Sequence, residues 1–287
     1  MATSHPFLSI IIPTRNRSTI VQRAIRSVIN QTIDGWECIV VDDHSTDNTR
    51  EVIQQLHQQD PRIAYLGNQA DPGAQGARNT GIQQAQGQWI LLLDSDNTIS
   101  PNYLEQITNY THTHPNVDVV TNYVSIIKEN GIIEHQAWPT HGNILHDLLT
   151  GKTYVDNSST CIRKTVLDAI IPLDTRCPSY QEWDTHIRLS QIAIYGCIEE
   201  ELTQYYDHTG PRVSSRTDTI WAHGLYVLHK HRKLWLNIVG KDVYTRMLLQ
   251  VYEERHTLSM PRQWLVSIIV VVLSPKLGKQ LIKRRLQ

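Results

Sequence analysis

Two carboxylates lie one residue apart where an apolar segment of the chain ends. The segment 90–96 reads Ile-Leu-Leu-Leu-Asp-Ser-Asp, so Asp94 and Asp96 follow four consecutive apolar side chains. Such a run is typical of a buried strand, and it places both carboxylates at the carboxyl end of that strand. Ligands of open α/β sheets bind at this edge. Because two hard oxygen donors suit a divalent cation, the pattern predicts a site for a metal-bound diphosphate.

A second apolar segment, Cys38–Val41, ends in the same way, with Asp42 and Asp43. The carboxyl ends of parallel strands meet at one edge of a sheet, so the two acid pairs are expected to face the same ligand. We therefore interpret them together as one site for a nucleotide diphosphate.

The elements that must position these residues alternate along the first hundred residues. The expected strands are Leu8–Ile12, Cys38–Val41, Ile63–Leu66 and Trp89–Leu93, with helix-like patterns between them. This rhythm predicts an α/β fold with a mainly parallel central sheet and helices on both faces. Val117–Ile127 is strand-like and precedes an Asn-Gly hairpin signal at 130–131, which predicts antiparallel additions. From about Thr219 the pattern indicates a helical C-terminal extension.

The composition bounds the class and location of the protein. A chain of 287 residues suits one large domain or one domain with an appendage, and a net charge of −1 gives no general attraction to nucleic acid. The four cysteines show no metal-binding or redox spacing, so we interpret them as reduced core thiols. With no signal-peptide pattern and no apolar run of about 20 residues, we expect a cytoplasmic location.

Five ordered blocks within residues 8–100 carry a resemblance to a known family. They are Ser-Ile-Ile-Ile-Pro-Thr-Arg-Asn at 9–16, Ala-Ile-Arg-Ser-Val with Gln-Thr at 24–32, Trp-Glu leading to Asp-Asp-His-Ser-Thr-Asp at 36–47, Gly-Ala-Arg-Asn-Thr-Gly at 76–81, and the acidic strand end at 87–96. In this order and spacing they resemble the family 2 glycosyltransferases of the GT-A fold. The second half is matched more thinly, at 181–184 and 212–214.

The resemblance implies an inverting, metal-assisted transferase. Its donor would be a nucleotide sugar, with UDP as the expected carrier, and its acceptor a hydroxyl of a glycan or of a lipid-linked sugar. It further implies a catalytic domain over 1–218, in which 1–100 bind the nucleotide and 101–218 form the acceptor half. A helical, basic extension over 219–287 would follow.

The resemblance also implies a set of donor-binding residues. These are Pro13, Thr14, Arg15, Asp43, Arg78, Asp94, Ser95 and Asp96. Asp43 matches a carboxylate that accepts a hydrogen bond from the nucleobase, although it or Asp42 could instead cap the following turn. Arg15 stands where many relatives have a tyrosine that stacks on the base, and it either stacks similarly or is a surface arginine. Arg78 matches a position near the nucleotide, with a solvated helix arginine as the alternative.

A divalent metal, Mn or Mg, is implied at the acidic strand end. Asp96 matches the direct ligand, and Asp94 would assist through water or through the donor. His208 lies where a late ligand of the metal or diphosphate can come from. Many relatives carry a further Asp at the position of Asn97, so the missing charge predicts lower metal affinity.

The catalytic base is implied at Glu182, within Gln-Glu-Trp-Asp at 181–184. That role requires a carboxylate within hydrogen-bond reach of the acceptor hydroxyl. Glutamate replaces the more usual aspartate here, which leaves Asp184 as a rival base or as a capping residue. Trp183 either stacks against the acceptor sugar or packs in the core.

Three other functions compete with this interpretation. The turn at 13–17 has no GxGxxG, which disfavours a dinucleotide-binding dehydrogenase. It also lacks the glycine-rich basic loop expected of a sugar-1-phosphate nucleotidyltransferase. A catalytically silent homologue that binds nucleotide sugars or glycans stays open, because Glu182 and Asn97 both depart from the family pattern.

The end of the chain suggests a membrane contact. Trp264–Leu273 is apolar except for Ser267, and the chain carries no acidic residue after Glu254. An apolar segment followed by a basic cluster suits the interface of an anionic membrane, so 262–287 are expected to bind the inner face of the membrane peripherally. The alternative is a buried segment that closes the core, followed by a solvated basic end.

Overall fold

The computed structural model describes residues 5–177, 179–207 and 217–253. Their strands are β1 (Leu8–Thr14), β2 (Trp36–Asp42), β3 (Ile63–Gly67), β4 (Trp89–Leu92), β5 (Thr98–Ile99), β6 (Val119–Ile127), β7 (Ile133–Gln136), β8 (Thr160–Arg163) and β9 (Tyr195–Tyr206). Their helices are α1 (Ile20–Ile29), α2 (Thr49–Gln59), α3 (Ala74–Gln84), α4 (Tyr103–Thr113), α5 (Leu145–Thr150), α6 (Lys164–Asp168), α7 (Gln181–Leu189), α8 (Thr217–Lys230), α9 (Arg232–Ile238) and α10 (Gly240–Glu253).

The strands form one mixed sheet with the order β3-β2-β1-β4-β8-β6-β9-β5, and β7 pairs with β6. The first four strands in that order are parallel, whereas β8 joins β4 and β6 in antiparallel pairs. The β6–β7 hairpin is antiparallel and confirms the hairpin signal at 130–131. The predicted parallel core with antiparallel additions is therefore confirmed.

The parallel half of the sheet is buried on both faces, as its apolar runs require. Every residue of β1 and of β4 is buried. Helix α1 contributes the stripe Val21, Ala24, Ile25 and Val28 to the same core. This spacing of three and four residues is the apolar face of an amphipathic helix. The central strands are thus packed on both faces, and the site residues at their ends follow directly on this core.

Two glycines allow helix α3 to approach the sheet and its preceding loop. A Cβ atom at Gly81 would lie 2.4 Å from a methyl group of Ile11, and one at Gly76 would lie 1.7 Å from the carbonyl oxygen of Asp71. Any larger side chain at either position would push the helix away. The resulting contact buries the helix from Gln75 to Ile82, including the polar side chains between them.

The chain divides into two compact units. The first consists of the described residues of Met1–Leu145, Thr153–Arg176 and Glu182–Thr209, and it contains the sheet. The second consists of those of His146–Lys152, Cys177–Gln181 and Gly210–Gln287. In the second unit, the buried indole of Trp235 donates a hydrogen bond to the carbonyl of Leu149 (2.9 Å).

The helical extension predicted from about Thr219 is confirmed as far as Glu253 by α8, α9 and α10. Within the described part of the chain, no helix combines the length and the apolar character that crossing a membrane requires. The segments 264–273 and 262–287 lie outside the described residues.

Candidate active site

The two acidic strand ends meet at one edge of the sheet, on either side of β1. Thr14 pairs with Asp42 across β1 and β2, and the amide of Leu93 donates to the carbonyl of Ile11 in β1 (3.0 Å). Adjacent strands lie about 5 Å apart, so the end of β2 and the end of β4 are separated by about 10 Å. That separation suits a nucleoside diphosphate with its base at one strand end and its phosphates at the other.

Asp43 holds the loop that leads into helix α3. Its Oδ1 accepts a hydrogen bond from Asn68 Nδ2 (2.7 Å), and its Oδ2 accepts one from the Gly73 amide (2.9 Å). Each oxygen of an ionised carboxylate has a second lone pair, so Asp43 retains the capacity to accept a further hydrogen bond from a ligand. The side chain is buried, which makes such a bond strong.

Asp42, and not Asp43, caps the turn that follows β2. The amide of Ser45 donates to Asp42 Oδ1 (3.0 Å), and the Tyr65 hydroxyl donates to Asp42 Oδ2 (3.0 Å). The turn-capping alternative for Asp43 is therefore wrong, because the preceding residue fulfils that role.

Asn16 fixes the loop between β1 and α1 against the loop after β2. Its backbone is left-handed (φ 51°), a conformation that asparagine tolerates, and its Oδ1 accepts a hydrogen bond from the Thr46 amide (2.7 Å). The arginines on either side of Asn16 contact different acidic residues. Arg15 is exposed, with Nη1 3.7 Å from Asp43 Oδ2, whereas Arg17 reaches the other acidic strand end.

The remaining predicted donor residues of β1 are buried at the strand end. Pro13 and Thr14 are the last two residues of β1. The hydroxyl of Thr14 is buried and has no hydrogen-bond partner among the described residues. The geometry thus brings Pro13, Thr14 and Arg15 beside Asp43, as the resemblance implies.

Arg78 is a buried partner of the acidic strand end. Its Nη2 lies 2.6 Å from Asp94 Oδ1, and its side chain is 3% exposed. Nη1 also donates to the side-chain oxygen of Gln75 (2.9 Å). The alternative of a solvated helix arginine is therefore wrong, because the guanidinium is buried and paired with a carboxylate.

A second arginine pairs with Asp96. Arg17 Nη1 lies 2.9 Å from Asp96 Oδ2 and donates to the Ser95 hydroxyl (3.0 Å). The carboxylates of Asp94 and Asp96 thus each face a guanidinium, one from α3 and one from the loop before α1. These arginines place positive charge where a diphosphate would lie beside the acidic strand end.

The donor set fits a hard divalent cation bound together with a diphosphate. Magnesium is commonly held by one or two carboxylates plus substrate phosphates, and Asp94 and Asp96 provide two carboxylates at one strand end. The described residues contain no group of three or more His, Cys, Asp or Glu side chains that could hold an ion without such a ligand. His208 and the matched segment 212–214 lie outside the described residues.

A polar loop at 156–160 connects the acidic strand end to the predicted base. The Ser158 hydroxyl accepts hydrogen bonds from the Asp94 amide (3.1 Å) and from Asn97 Nδ2 (3.0 Å). The next residue back, Asn157, donates from Nδ2 to Glu182 Oε1 (3.1 Å). An ionised aspartate at position 97 could not donate to Ser158, so the asparagine has a structural role.

Glu182 is a half-buried carboxylate in an environment suited to a general base. Desolvation by burial raises its pKa, and the negative charge of Asp94 raises it further, whereas Arg78 and the Asn157 hydrogen bond oppose the shift. Burial also raises the pKa of the nearby Asp156 carboxyl to about 6. A base whose pKa is moved toward neutrality accepts a proton more readily in the transition state.

The two other candidates on helix α7 differ in accessibility. Asp184 is 1% exposed and lies 4.0 Å from Arg188 Nη1 on the same helix. Trp183 is half-buried. An acceptor hydroxyl must reach the base, so the burial of Asp184 favours Glu182 for that role.

Sequence reasoning missed Arg17, Asn157 and Ser158. Arg17 follows directly on the first family block at 9–16. That position was the one sign in the sequence that Arg17 lies near the donor site. The run Asp-Asn-Ser-Ser-Thr at 156–160 is buried although every residue in it is polar. Its residue types alone indicate an ordinary turn, because burial is not evident in the sequence.

Comparison with known sequences identifies the family. Residues 9–170, more than half of the chain, match Glycosyl transferase family 2. A GalNAc(5)-diNAcBac-PP-undecaprenol beta-1,3-glucosyltransferase of Campylobacter jejuni is 42% identical over 95 residues, 33% of this chain and 31% of the relative. A UDP-Glc:alpha-D-GlcNAc-diphosphoundecaprenol beta-1,3-glucosyltransferase of Escherichia coli is 40% identical over 121 residues, 40% of this chain and 47% of the relative. The aligned part therefore spans 31% and 47% of these relatives, less than half of either.

Solved structures share the fold. TarS 1-349 of S. aureus in complex with UDP-GlcNAc has a TM-score of 0.64 at 18% identity, over 86% of this chain and 72% of that chain. The mannosyltransferase PcManGT of Pyrobaculum calidifontis in complex with GDP-Man and Mn2+ has a TM-score of 0.62 at 14% identity, over 98% of this chain and 80% of that chain. The fold, the ordered sequence blocks and the matched residues agree: the chain belongs to glycosyl transferase family 2 and has the GT-A fold.

Proposed function

We propose that the protein is an inverting glycosyltransferase that moves a sugar from a UDP-sugar to a sugar attached to a lipid diphosphate. The observation that carries this proposal is the connection from the acidic strand end to Glu182 through Ser158 and Asn157. It supports a donor site and a base held in one rigid unit.

The comparisons support the two substrate classes. Both named relatives carry a lipid diphosphate in their acceptor names, and one of them is named for UDP-Glc. The structural neighbour TarS is described with UDP-GlcNAc. These names, together with the family, favour a UDP-sugar as donor and a glycosyl diphospholipid as acceptor for this chain.

The donor would lie along the edge formed by β2, β1 and β4. Asp43 would accept the imide hydrogen of uracil, with Pro13, Thr14 and Arg15 bordering the base. The diphosphate would extend toward Arg78, Asp94, Ser95 and Asp96. Arg78 and Arg17 would then compensate part of the negative charge on the leaving UDP.

A divalent metal, Mn or Mg, would be held by Asp96, assisted by Asp94 and by His208. When bound, it supplies Lewis-acid stabilisation of the departing diphosphate. The residues of this chain bind the donor, orient it along the strand ends and hold the base.

Glu182 would take the proton of the attacking hydroxyl. The acceptor oxygen forms a bond to the anomeric carbon while the bond from that carbon to the UDP oxygen breaks, so UDP leaves with the bonding electrons. One displacement of this kind inverts the anomeric configuration. Trp183 would contact the acceptor sugar, and Asp184 is the second candidate for the base.

The proposal includes the predicted domain bounds and the predicted membrane contact. Residues 1–218 would form the catalytic domain, with nucleotide and acceptor halves at 1–100 and 101–218, and 219–287 would form the basic extension. The tail 262–287 would bind the inner face of the membrane peripherally, next to a lipid-linked acceptor. Loss of pelleting with anionic vesicles after deletion of 262–287 tests that contact.

A screen of donor hydrolysis tests the activity. The full-length protein is incubated with Mn²⁺ and UDP-Glc, UDP-GlcNAc, UDP-Gal or GDP-Man, and nucleotide release is measured for wild type and Glu182→Gln. We expect release from one UDP-sugar by the wild type and a large loss in the variant. Binding of a UDP-sugar without release or transfer would instead support a catalytically silent binding protein.

A further inference from the structure

A groove of about 540 Å³ lies between helix α1 and the paired strands β5 and β9. Its lining includes the side chains of Arg23, Arg26, Ser27, Thr98, Gln204 and Tyr206. It contains two arginines, hydroxyl groups and amide groups, and none of the described residues that line it is acidic. A concave surface with positive charge and no carboxylate attracts an anion.

Arg23 is held in place between the groove and the acidic strand end. Its guanidinium carbon lies 3.4 Å from the centroid of the Tyr206 ring, and Nη2 donates to the backbone carbonyl of Asp96 (2.9 Å). Stacking on an aromatic face fixes the plane of a guanidinium. The cation is therefore pre-organised directly behind the residue predicted to bind the metal.

Arg26 lies three residues further along α1, on the same face of the helix. Neither Arg23 nor Arg26 has a carboxylate within 4 Å among the described residues. This distinguishes them from the arginines that pair with carboxylates elsewhere in the first unit: Arg15, Arg17, Arg62, Arg78, Arg163, Arg176 and Arg188. Among the described residues, the groove thus carries two positive charges without a carboxylate partner.

We propose that this groove binds the diphosphate of the acceptor, which rests on the acceptor class proposed above. Guanidinium groups match phosphate oxygens with paired hydrogen bonds, and two of them within one turn suit a diphosphate. The donor diphosphate has its own partners in the carboxylate-facing arginines Arg17 and Arg78. Arg23 instead contacts the main chain of Asp96 from the groove.

The position of the groove relative to the base supports this assignment. In an acceptor with a single sugar, such as the one named for the Escherichia coli relative, the sugar that bears the attacking hydroxyl is joined directly to the diphosphate, so phosphate and base must lie close to each other. Asp96 borders the groove through Arg23, and the adjacent Asn97 contacts Ser158, next to the residue that holds Glu182. A short series of contacts therefore joins the groove to the base.

Direct binding of a short isoprenoid diphosphate tests the proposal. The full-length protein is titrated with farnesyl diphosphate, and with farnesol, in the presence of saturating UDP and EDTA so that the donor site is filled. We expect wild type to bind farnesyl diphosphate and not farnesol. Arg26→Ala should weaken binding about tenfold, the usual effect of losing one charge-assisted contact, and Arg26→Glu about a hundredfold.

Two control variants separate charge from folding. Arg26→Lys keeps the positive charge in the last turn of α1 and should retain most of the affinity. Lys164→Ala removes a half-buried cation that pairs with Asp168 on helix α6, and it should leave binding unchanged. Thermal melting of each variant excludes a loss of fold as the cause.

Three results would overturn the assignment. One is equal affinity of wild type and Arg26→Glu for farnesyl diphosphate, and another is no binding by the wild type. The third is weaker pelleting of Arg26→Glu with phosphatidylglycerol vesicles but unchanged affinity for farnesyl diphosphate, which would assign the groove to the membrane surface. Donor hydrolysis by the wild type is measured in parallel, and its absence would count against the proposed function and not against the groove.

Discussion

Asn157 donates its side-chain amide to Glu182 Oε1 at 3.1 Å, while the following residue holds the acidic strand end. This hydrogen bond stabilises the ionised form of Glu182, and it acts against the burial that raises the pKa of the carboxyl. The same short loop therefore contacts both the proposed base and the acidic strand end of the donor site.

Replacing Asn157 should move the pH dependence of the reaction. A base works when it is ionised, so the rate rises as pH increases through the pKa of Glu182. Asn157→Ala removes a bond that lowers this pKa, so the acidic limb of the pH–rate profile should shift to higher pH. Donor hydrolysis measured from pH 5 to 9 checks this shift.

The matched control for that experiment is Asn130→Ala, in the exposed turn between β6 and β7. Its acidic limb should coincide with that of the wild type. A uniform loss of rate in Asn157→Ala, with the limb unmoved, would show that Asn157 contributes only to packing of the loop.

Removing the basicity of Glu182 should abolish most of the turnover. Glu182→Gln keeps the size of the side chain, and loss of a general base usually costs about 10²- to 10⁴-fold in rate. UDP affinity measured by calorimetry should change little, because the carboxylate lies at the acceptor side of the proposed site. If Asp184→Asn is the inactive variant and Glu182→Gln turns over normally, Asp184 is the base.

Much of the fold was predictable because its signals are local. The apolar runs of β1, β2 and β4 end in polar residues within the sequence itself, and alternation with helices fixed the parallel pairing of those strands. The family and the α/β fold with its antiparallel additions are confirmed.

The contacts within the site were less predictable because they join distant parts of the chain. Arg17 and Asp96 are 79 residues apart, and Asn157 and Glu182 are 25 residues apart. A polar residue in a loop gives no indication of its partner when that partner arrives through sheet topology. Of the two arginines that pair with the acidic strand end, only Arg78 could be anticipated, since its family block implied a position near the nucleotide.

Asp96 should be required for metal-dependent turnover. Its carboxylate is the proposed ligand, so Asp96→Ala should lose activity at every Mn²⁺ concentration. EDTA should abolish the activity of the wild type, and added Mn²⁺ should restore it. Asp94→Asn is preferable to alanine as a companion, because removing the side chain would leave the buried Arg78 without its partner. Exposed Asp168→Asn serves as the control. Full turnover of Asp96→Ala in EDTA would contradict the metal assignment.

Asp43 should contribute to nucleotide affinity and selectivity. Loss of a charge-assisted hydrogen bond to uracil would weaken UDP binding by about 1 to 3 kcal/mol. Asp43→Asn is the informative variant, because it keeps the size of the side chain and removes the charge; its single amide oxygen still accepts from either Asn68 or Gly73. Calorimetry with UDP, GDP and CDP should show a smaller preference for UDP. Unchanged affinity and preference would limit Asp43 to holding its loop.

Asn97 should show that metal affinity and turnover can be separated. Asn97→Asp adds a negative charge beside Asp94 and Asp96, so Mn²⁺ should bind more tightly to the variant saturated with UDP. The same change removes the amide that donates to Ser158 (3.0 Å), which loosens the loop that holds Glu182. Turnover at saturating metal should therefore fall although metal affinity rises. Ser158→Ala breaks the same hydrogen bond without adding charge and also removes the acceptor of the Asp94 amide, so it should lower turnover without raising Mn²⁺ affinity. If Asn97→Asp instead raises both affinity and turnover, the asparagine only reduces metal binding and the loop does not position the base.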